Sequence, residues 1–309
     1  MLKKLPLFIV IVLMGIIPIS AQTPTPAPAD FTGGLSFIDW IDPNEEAFAI
    51  QVPEGWTIQG GMNDIRGQKY LNYSMMSPEG DAIIIAGQSQ VIHNLQPSDT
   101  LTSQGYAEGD IVLDEGNYII KVASYQTGVE AARSLIETTF TSICTQLAIT
   151  EERTRDDLSG YNDAQTAFTS VGEVAFTCTI ATFELVGYFQ ATTYATVDDY
   201  YGQSWIIRDT YGFLAERSKA DQAAAVLLQS LTSLTFSEAW ITEQQQIQVQ
   251  LAAQYQQAVQ SNNYQADDWA YYEYMSDMSA MEHETMMAII YNMDSGYTVE
   301  WEYDYGYDW

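Results

Sequence analysis

Met275, Met278, Glu282 and Met286 recur at the three- and four-residue intervals of a single helix face, and His283 stands between Glu282 and Glu284. Six of the eleven Met residues fall between Met275 and Met293. Thioethers beside an imidazole form a soft ligand set of the kind that selects copper(I), so Met275, Met278, His283 and Met286 are the candidate metal ligands. Two arguments oppose that reading: Met is an ordinary gap filler in cores, and Glu282 is a hard oxygen ligand that copper(I) does not choose. Asn292, Asp294 and Glu300 offer oxygen ligands for calcium, but the regular acidic spacing of an EF-hand loop is missing and a turn at Asp294 to Gly296 accounts for them. The expectation is therefore no cofactor, with copper or calcium as the metals this region could hold.

The chain ends in "YTVEWEYDYGYDW", where every odd position from Tyr297 to Trp309 is aromatic or Val and the even positions are acidic, Thr or Gly. Strict alternation is the pattern of a half-buried strand. Seven large side chains on one face are too much apolar surface for a soluble monomer to expose, so Tyr297, Val299, Trp301 and Tyr303 are expected in the core. Past Gly306 the strand is free to turn, which makes Tyr307 and Trp309 the residues for a sugar or partner contact. Trp301 and Tyr305, on the same face, complete the candidate contact set.

Catalytic constellations are missing one by one. Only His93 and His283 could serve a Ser-His-Asp arrangement, no GxSxG elbow occurs, and "EHE" is not HExxH. The sequence has neither a GxxxxGKS loop nor a GxGxxG fingerprint. The reading is of no catalytic residue. The enzymatic alternative is a hydrolase with a carboxylate pair, which 41 Asp and Glu residues cannot by their number alone identify.

Those 41 acids face 11 Lys and Arg for a net charge of -30, and no Lys or Arg follows Lys219. A nucleic acid or an anionic membrane would be repelled along the whole C-terminal third. Solubility explains the surplus more simply than clustered cation sites do.

The elements that must position these residues follow an export signal. Lys3 and Lys4 precede the apolar run "LPLFIVIVLMGIIPI", and Ser20 and Ala21 supply a cleavage site, so residues 1–21 read as a signal peptide with an uncleaved anchor as the alternative. Residues 22–34, opening "QTPTPAPAD", read as a Pro-rich spacer. The mature protein is expected to be extracytoplasmic or secreted, with no membrane segment.

Residues 35–150 read as a first α+β module. "AFAIQVPEGWTIQGG", "KYLNYSMMSPEGDAIIIAGQSQVI" and "NYIIKVASYQ" give strands broken at Pro53 to Gly55 and Pro78 to Asp81, with Trp56 as a core anchor. Val129, Ala132, Ile136, Phe140 and Ile143 then fall on one helix face. Residues 151–237 repeat the pattern: "GEVAFTCTIATFELVGYFQATTYATV" and "SWIIRDT" as antiparallel strands, then a helix with Ala220, Ala223, Leu227, Leu231 and Leu234 inward. Strands closed by a helix, twice, point to two related modules or one duplicated sheet. Residues 238–309 read as Gln- and Met-rich helices, with Ile247, Leu251, Tyr255, Ala258 and Val259 on a stripe, followed by the aromatic and acidic strand.

Two cysteines, Cys144 and Cys178, have no CxxC spacing. In an oxidising compartment the expectation is one bridge, the alternative being two separate buried thiols.

The runs "AFAIQVPEGWTIQGG" and "SPEGDAIIIAG", the late helix, and "GYTVEW" resemble a group of uncharacterised secreted bacterial proteins whose front portion is similar to the PsbP and Mog1 type of fold. That resemblance implies an antiparallel sheet flanked by helices and carries no activity with it. In those relatives the aromatic tail continues past a Gly such as Gly306, whereas this sequence stops at Trp309. The functional expectation is an exported, non-catalytic binding or assembly protein with a protein or carbohydrate partner at the cell surface. The alternatives are the extracytoplasmic hydrolase and a copper- or calcium-binding protein.

Overall fold

Alternating apolar residues build most of this chain. The computed structural model describes residues 34–162, 167–198 and 202–260, which form a mixed α+β structure of mostly antiparallel strands. The chain opens with β1 (Phe37–Ile41), β2 (Phe48–Pro53), β3 (Thr57–Ile65), β4 (Gln68–Met76), β5 (Ala82–Gly87) and β6 (Val91–Leu95). A short α1 (Asp99–Ser103) leads to β7 (Ile111–Asp114), β8 (Tyr118–Val122) and α2 (Gly128–Phe140). Then come β9 (Gln146–Thr154), β10 (Gly160–Tyr161) and three long strands, β11 (Ala167–Ile180), β12 (Phe183–Asp198) and β13 (Gly202–Glu216). The described part closes with α3 (Ala220–Thr232), β14 (Thr235–Phe236) and α4 (Glu238–Gln260).

The long strands are the spine, and each outer partner uses only part of their length. On β13, Tyr211 to Ala215 pair with β5 while Ser204 to Ile206 pair with β6. The first branch runs on through β4 to β3, and the second passes through β8, parallel to β6, to β7. At the far side, β11 is flanked by β10 near its start and by β9 along the rest. The sheet thus runs through residues 150 and 151, a boundary that falls inside β9, where the pairing with β11 shifts register and leaves Thr150 as the extra residue. The switch from β5 to β6 turns on Gly87, whose φ is +75° and where a Cβ would run into the Leu71 carbonyl.

Two cores lie on opposite faces of this sheet, and β5 serves both by alternation: Ala82, Ile84 and Ala86 join one, Ile83 and Ile85 pack against the other. The first core is closed by α3 and by a small sheet of β1, β2 and β14, with Phe48, Ile50 and Val52 fully buried. Trp56 packs at its edge, partly exposed. A buried carboxylate ties the small sheet to the large one: Asp42 accepts the backbone N–H groups of Asn44, Glu45, Ala47 and Met62 at 2.9 to 3.1 Å.

The second core is closed by α2. Thr127 and Glu130 form a reciprocal capping box at its start, and Ala132, Ile136 and Phe140 are buried as their spacing predicts. Ile143 differs from expectation: the helix ends at Phe140, the amides of Ile143 and Cys144 both bond back to its carbonyl, and Ile143 is left half exposed. That turn directs Cys144 toward β11, where it is joined to Cys178 with the Cα atoms 5.4 Å apart.

In α3 the buried face is Ala220, Ala223, Val226, Leu227 and Ser230. Leu234 lies just beyond the helix yet still packs on the first core. Ser237 caps α4 by accepting from the Trp240 amide, and Trp240 stacks on Phe236 while its indole N–H donates to Glu45 at 2.8 Å. Ile247 on this helix is 39% exposed, in keeping with a partly solvated stripe, whose remaining side chains fall outside the described residues.

Candidate functional site

Strand register assembles an aromatic row that the linear sequence hides. Tyr161 pairs with Phe168, Phe168 with Ala195, and Ala195 with Trp205, so these four side chains stand abreast on one face across β10, β11, β12 and β13. Tyr161 is 70% exposed, and its ring lies 4.8 Å from that of Phe168. Trp205 is buried and donates its indole N–H to the Ala123 carbonyl at 3.1 Å. Ala195 between the two rings has only a methyl group, leaving a step in the row.

Tyr125 joins this row to a groove. Its ring meets Trp205 edge-on at 5.9 Å, and its hydroxyl is 3.3 Å from that of Thr193. Partial burial raises the phenol pKa, offset by hydrogen bonds from Thr193 and Ser170, and both Glu130 and Tyr161 are near enough to add to the rise. On the other side of Tyr125 an open groove of about 440 Å³ runs along α2, where Glu130, Arg133 and Glu137 follow one another at helical spacing opposite Ser124 and Glu108. Glu108 accepts from both the amide and the hydroxyl of Ser124 at 2.8 Å, and these bonds hold its carboxyl below the usual range. Arg133 is turned outward to Glu152, with Nε 2.7 Å from the carboxylate. The groove therefore carries surplus negative charge beside exposed aromatic carbon.

A second concentration of polar groups lies elsewhere on β12 and β13. The register slips by one residue between Thr192 and Thr193, and the extra residue on β13 is Arg208, a β-bulge. Arg208 is buried with its guanidinium 5.6 Å from the Tyr194 ring. Next to it, burial raises the Asp209 carboxyl pKa and the Arg208 charge opposes that rise. Perturbed carboxyls of this kind occur both in active sites and in structural ion clusters.

His93, the one His among the described residues, is 6% exposed, flanked by Ile120 and Ile206 across the sheet and by the Tyr118 ring at 5.2 Å. Burial, helped by the charge of Arg66, pushes its pKa down to about 4, so it is neutral at physiological pH. It stands on β6, outside both the groove and the aromatic row.

The metal set Met275, Met278, His283 and Met286 and the contact set Trp301, Tyr305, Tyr307 and Trp309 lie outside the described residues. So do Asn292, Asp294 and Glu300. Among the described residues no three His, Cys, Asp or Glu side chains are grouped to hold a metal ion. Tyr125, Tyr161, Phe168 and Trp205 were not singled out by sequence reasoning. The one available signal was the flanking of a short polar stretch, residues 162–166, by Tyr161 and Phe168, which marks a hairpin with an aromatic pair.

Compared with known proteins, the chain matches no protein-family model and no curated protein.

Proposed function

We propose that this is an exported binding or assembly protein of the extracytoplasmic space, built on a sheet of the kind the PsbP and Mog1 resemblance implies, and that it works by contact rather than catalysis. The observation that carries the reading is the exposed Tyr161 ring packed at a tilt against Phe168 beside the Tyr125 groove. Rigid aromatic side chains on strands supply contact area at low entropic cost, and here the strand ladder sets their spacing in advance. The Lys3 and Lys4 apolar leader and the Pro-rich spacer support export. The net charge of -30 favours partners that are neutral or cationic.

The test is a binding screen of the mature chain against surface glycans and envelope peptides, run beside a Tyr161→Ala, Phe168→Ala double variant. Binding that falls at least tenfold in the variant supports the reading. Equal binding by both chains removes the aromatic row from function.

A further inference from the structure

We infer that helix α4 is a self-association surface, paired in solution with α4 of a second copy of this chain about a two-fold axis, an inference that goes beyond the binding reading and makes no use of the aromatic row. Only the start of the helix is held by the fold. Trp240 stacks on Phe236 and bonds to Glu45, and Ile241 and Gln244 are half-buried. From Gln245 to Gln250 every described side chain is exposed, and among the described residues no other strand or helix lies along α4. Residues 245–260 thus carry the helix onward by about 24 Å, at 1.5 Å per residue. Helices draw most of their stability from packing one face, and a segment of this length is marginal when alone in water.

Charge selects a second copy as the partner. Residues 244–266 are the longest run without Asp, Glu, Lys or Arg after the apolar leader, in a chain of net charge -30. Two copies meeting on an acidic face would set carboxylates against carboxylates, whereas α4 past Glu243 brings none to the contact. A cationic partner, which the net charge favours elsewhere, finds no counter-charge along this stretch. The composition is also self-complementary. Nine of residues 244–260 are Gln, whose amide carries both a carbonyl acceptor and an NH2 donor, so that like can bond to like. Ile247, 39% exposed, opens the apolar spacing that Leu251, Tyr255, Ala258 and Val259 continue in the sequence, and a second helix covers apolar residues at that spacing. A contact confined to one helix pair falls at the small end of protein interfaces, below about 1,200 Å², so the dimer is reversible, with a dissociation constant on the order of 10 μM.

The experiment is sedimentation equilibrium of the full mature chain over about 1 to 300 μM, which brackets that constant, at roughly 10 mM and roughly 150 mM salt, where the screening length is about 30 Å and about 8 Å. The expected result is a monomer–dimer equilibrium about threefold tighter at the higher salt, because screening relieves the repulsion between two acidic bodies and leaves an uncharged contact untouched. An Ile247→Glu, Gln250→Glu double variant sets like charges on the apolar side of the helix and should weaken the dimer about tenfold. A Gln245→Glu, Val249→Glu double variant adds the same charge on the opposite side and should leave it within about threefold. All four positions are exposed, so the melting temperature of the dilute chain should be the same in both variants. A parent that stays monomeric throughout would overturn the inference and leave α4 to a partner of another kind. A dimer that survives Ile247→Glu, Gln250→Glu would place the contact elsewhere. Equal weakening by the two variants, or a dimer that loosens as salt rises, would show that charge and not the helix face governs association, and would overturn the inference as well.

Discussion

Gly128, the first residue of α2, and Gly172, in the middle of β11, meet backbone to backbone: a Cβ on either would run into the main chain of the other. The contact seats the start of the helix directly on the sheet, and the Gly128 amide donates to Ser170 Oγ at 3.0 Å. This seating places Glu130, Arg133 and Glu137 along the groove.

Gly172→Ala should therefore destabilise the protein by about 3 kcal/mol, the upper part of the usual range for overpacking, because neither neighbour is a side chain that can rotate away. At about 2 to 4 °C per kcal/mol for a domain of this size, the melting temperature should fall by roughly 6 to 12 °C. Thermal unfolding followed by circular dichroism measures it. An unchanged melting temperature would mean that α2 does not approach β11 this closely.

Asp42 gathers four backbone donors from the β1–β2 turn and from β3. Removing it leaves the buried amides of Ala47 and Met62 unpaired and turns those of Asn44 and Glu45 to water, so Asp42→Ala should cost on the order of 4 kcal/mol. Asp42→Asn keeps one acceptor oxygen and should cost roughly half as much. Urea denaturation of the three proteins gives the ranking, and a neutral Asp42→Ala would contradict it.

The bridge from Cys144 to Cys178 spans 34 residues. Constraint of the unfolded chain by a loop of that length is worth about 3 to 4 kcal/mol in the chain-entropy account. A Cys144→Ser, Cys178→Ser double variant should lose about that much stability, and thiol titration of the unreduced, denatured parent should find no free thiol. Two thiols per chain would refute the bridge.

His93 should make stability depend on pH in a defined window. Its folded pKa of about 4 lies below the value of 6.5 for an unperturbed imidazole, so the unfolded chain binds the extra proton as the medium is acidified. The contribution is complete above about pH 6.5 and drains away as the pH falls toward 4, amounting to about 3 kcal/mol in all. His93→Phe keeps a ring against Tyr118 and cannot titrate. Urea unfolding at pH 7.5 and pH 4.5 should show a parent that loses more stability than the variant, and parallel losses would show that His93 is not held neutral by the fold.

What was legible in the sequence was local. The faces of α2 and α3 were readable because Ala132, Ile136 and Phe140, and Ala220, Ala223 and Leu227, repeat at the period of one helix, which is a property of neighbours three and four apart. The strand character of β4, β5 and β11 to β13 was legible for the same reason, since alternation and β-branching act within a few residues. Where α2 ends was less so: Ile143 continues the apolar spacing, but the chain turns at Phe140 to bring Cys144 to β11.

The site was decided by tertiary structure. Tyr125, Tyr161, Phe168 and Trp205 span 80 residues of sequence numbering, roughly, and share one surface only because each strand register was chosen by long-range packing. Nothing near Arg208 announces a bulge; it arises where the β12 and β13 pairing must serve β5 on one half of the strand and β6 on the other. Composition by itself determined the acidic charge, which is a sum along the chain. Pairing partners, burial and the convergence of acidic groove with aromatic row depend on which distant strands share hydrogen bonds, and periodicity carries no information about that choice.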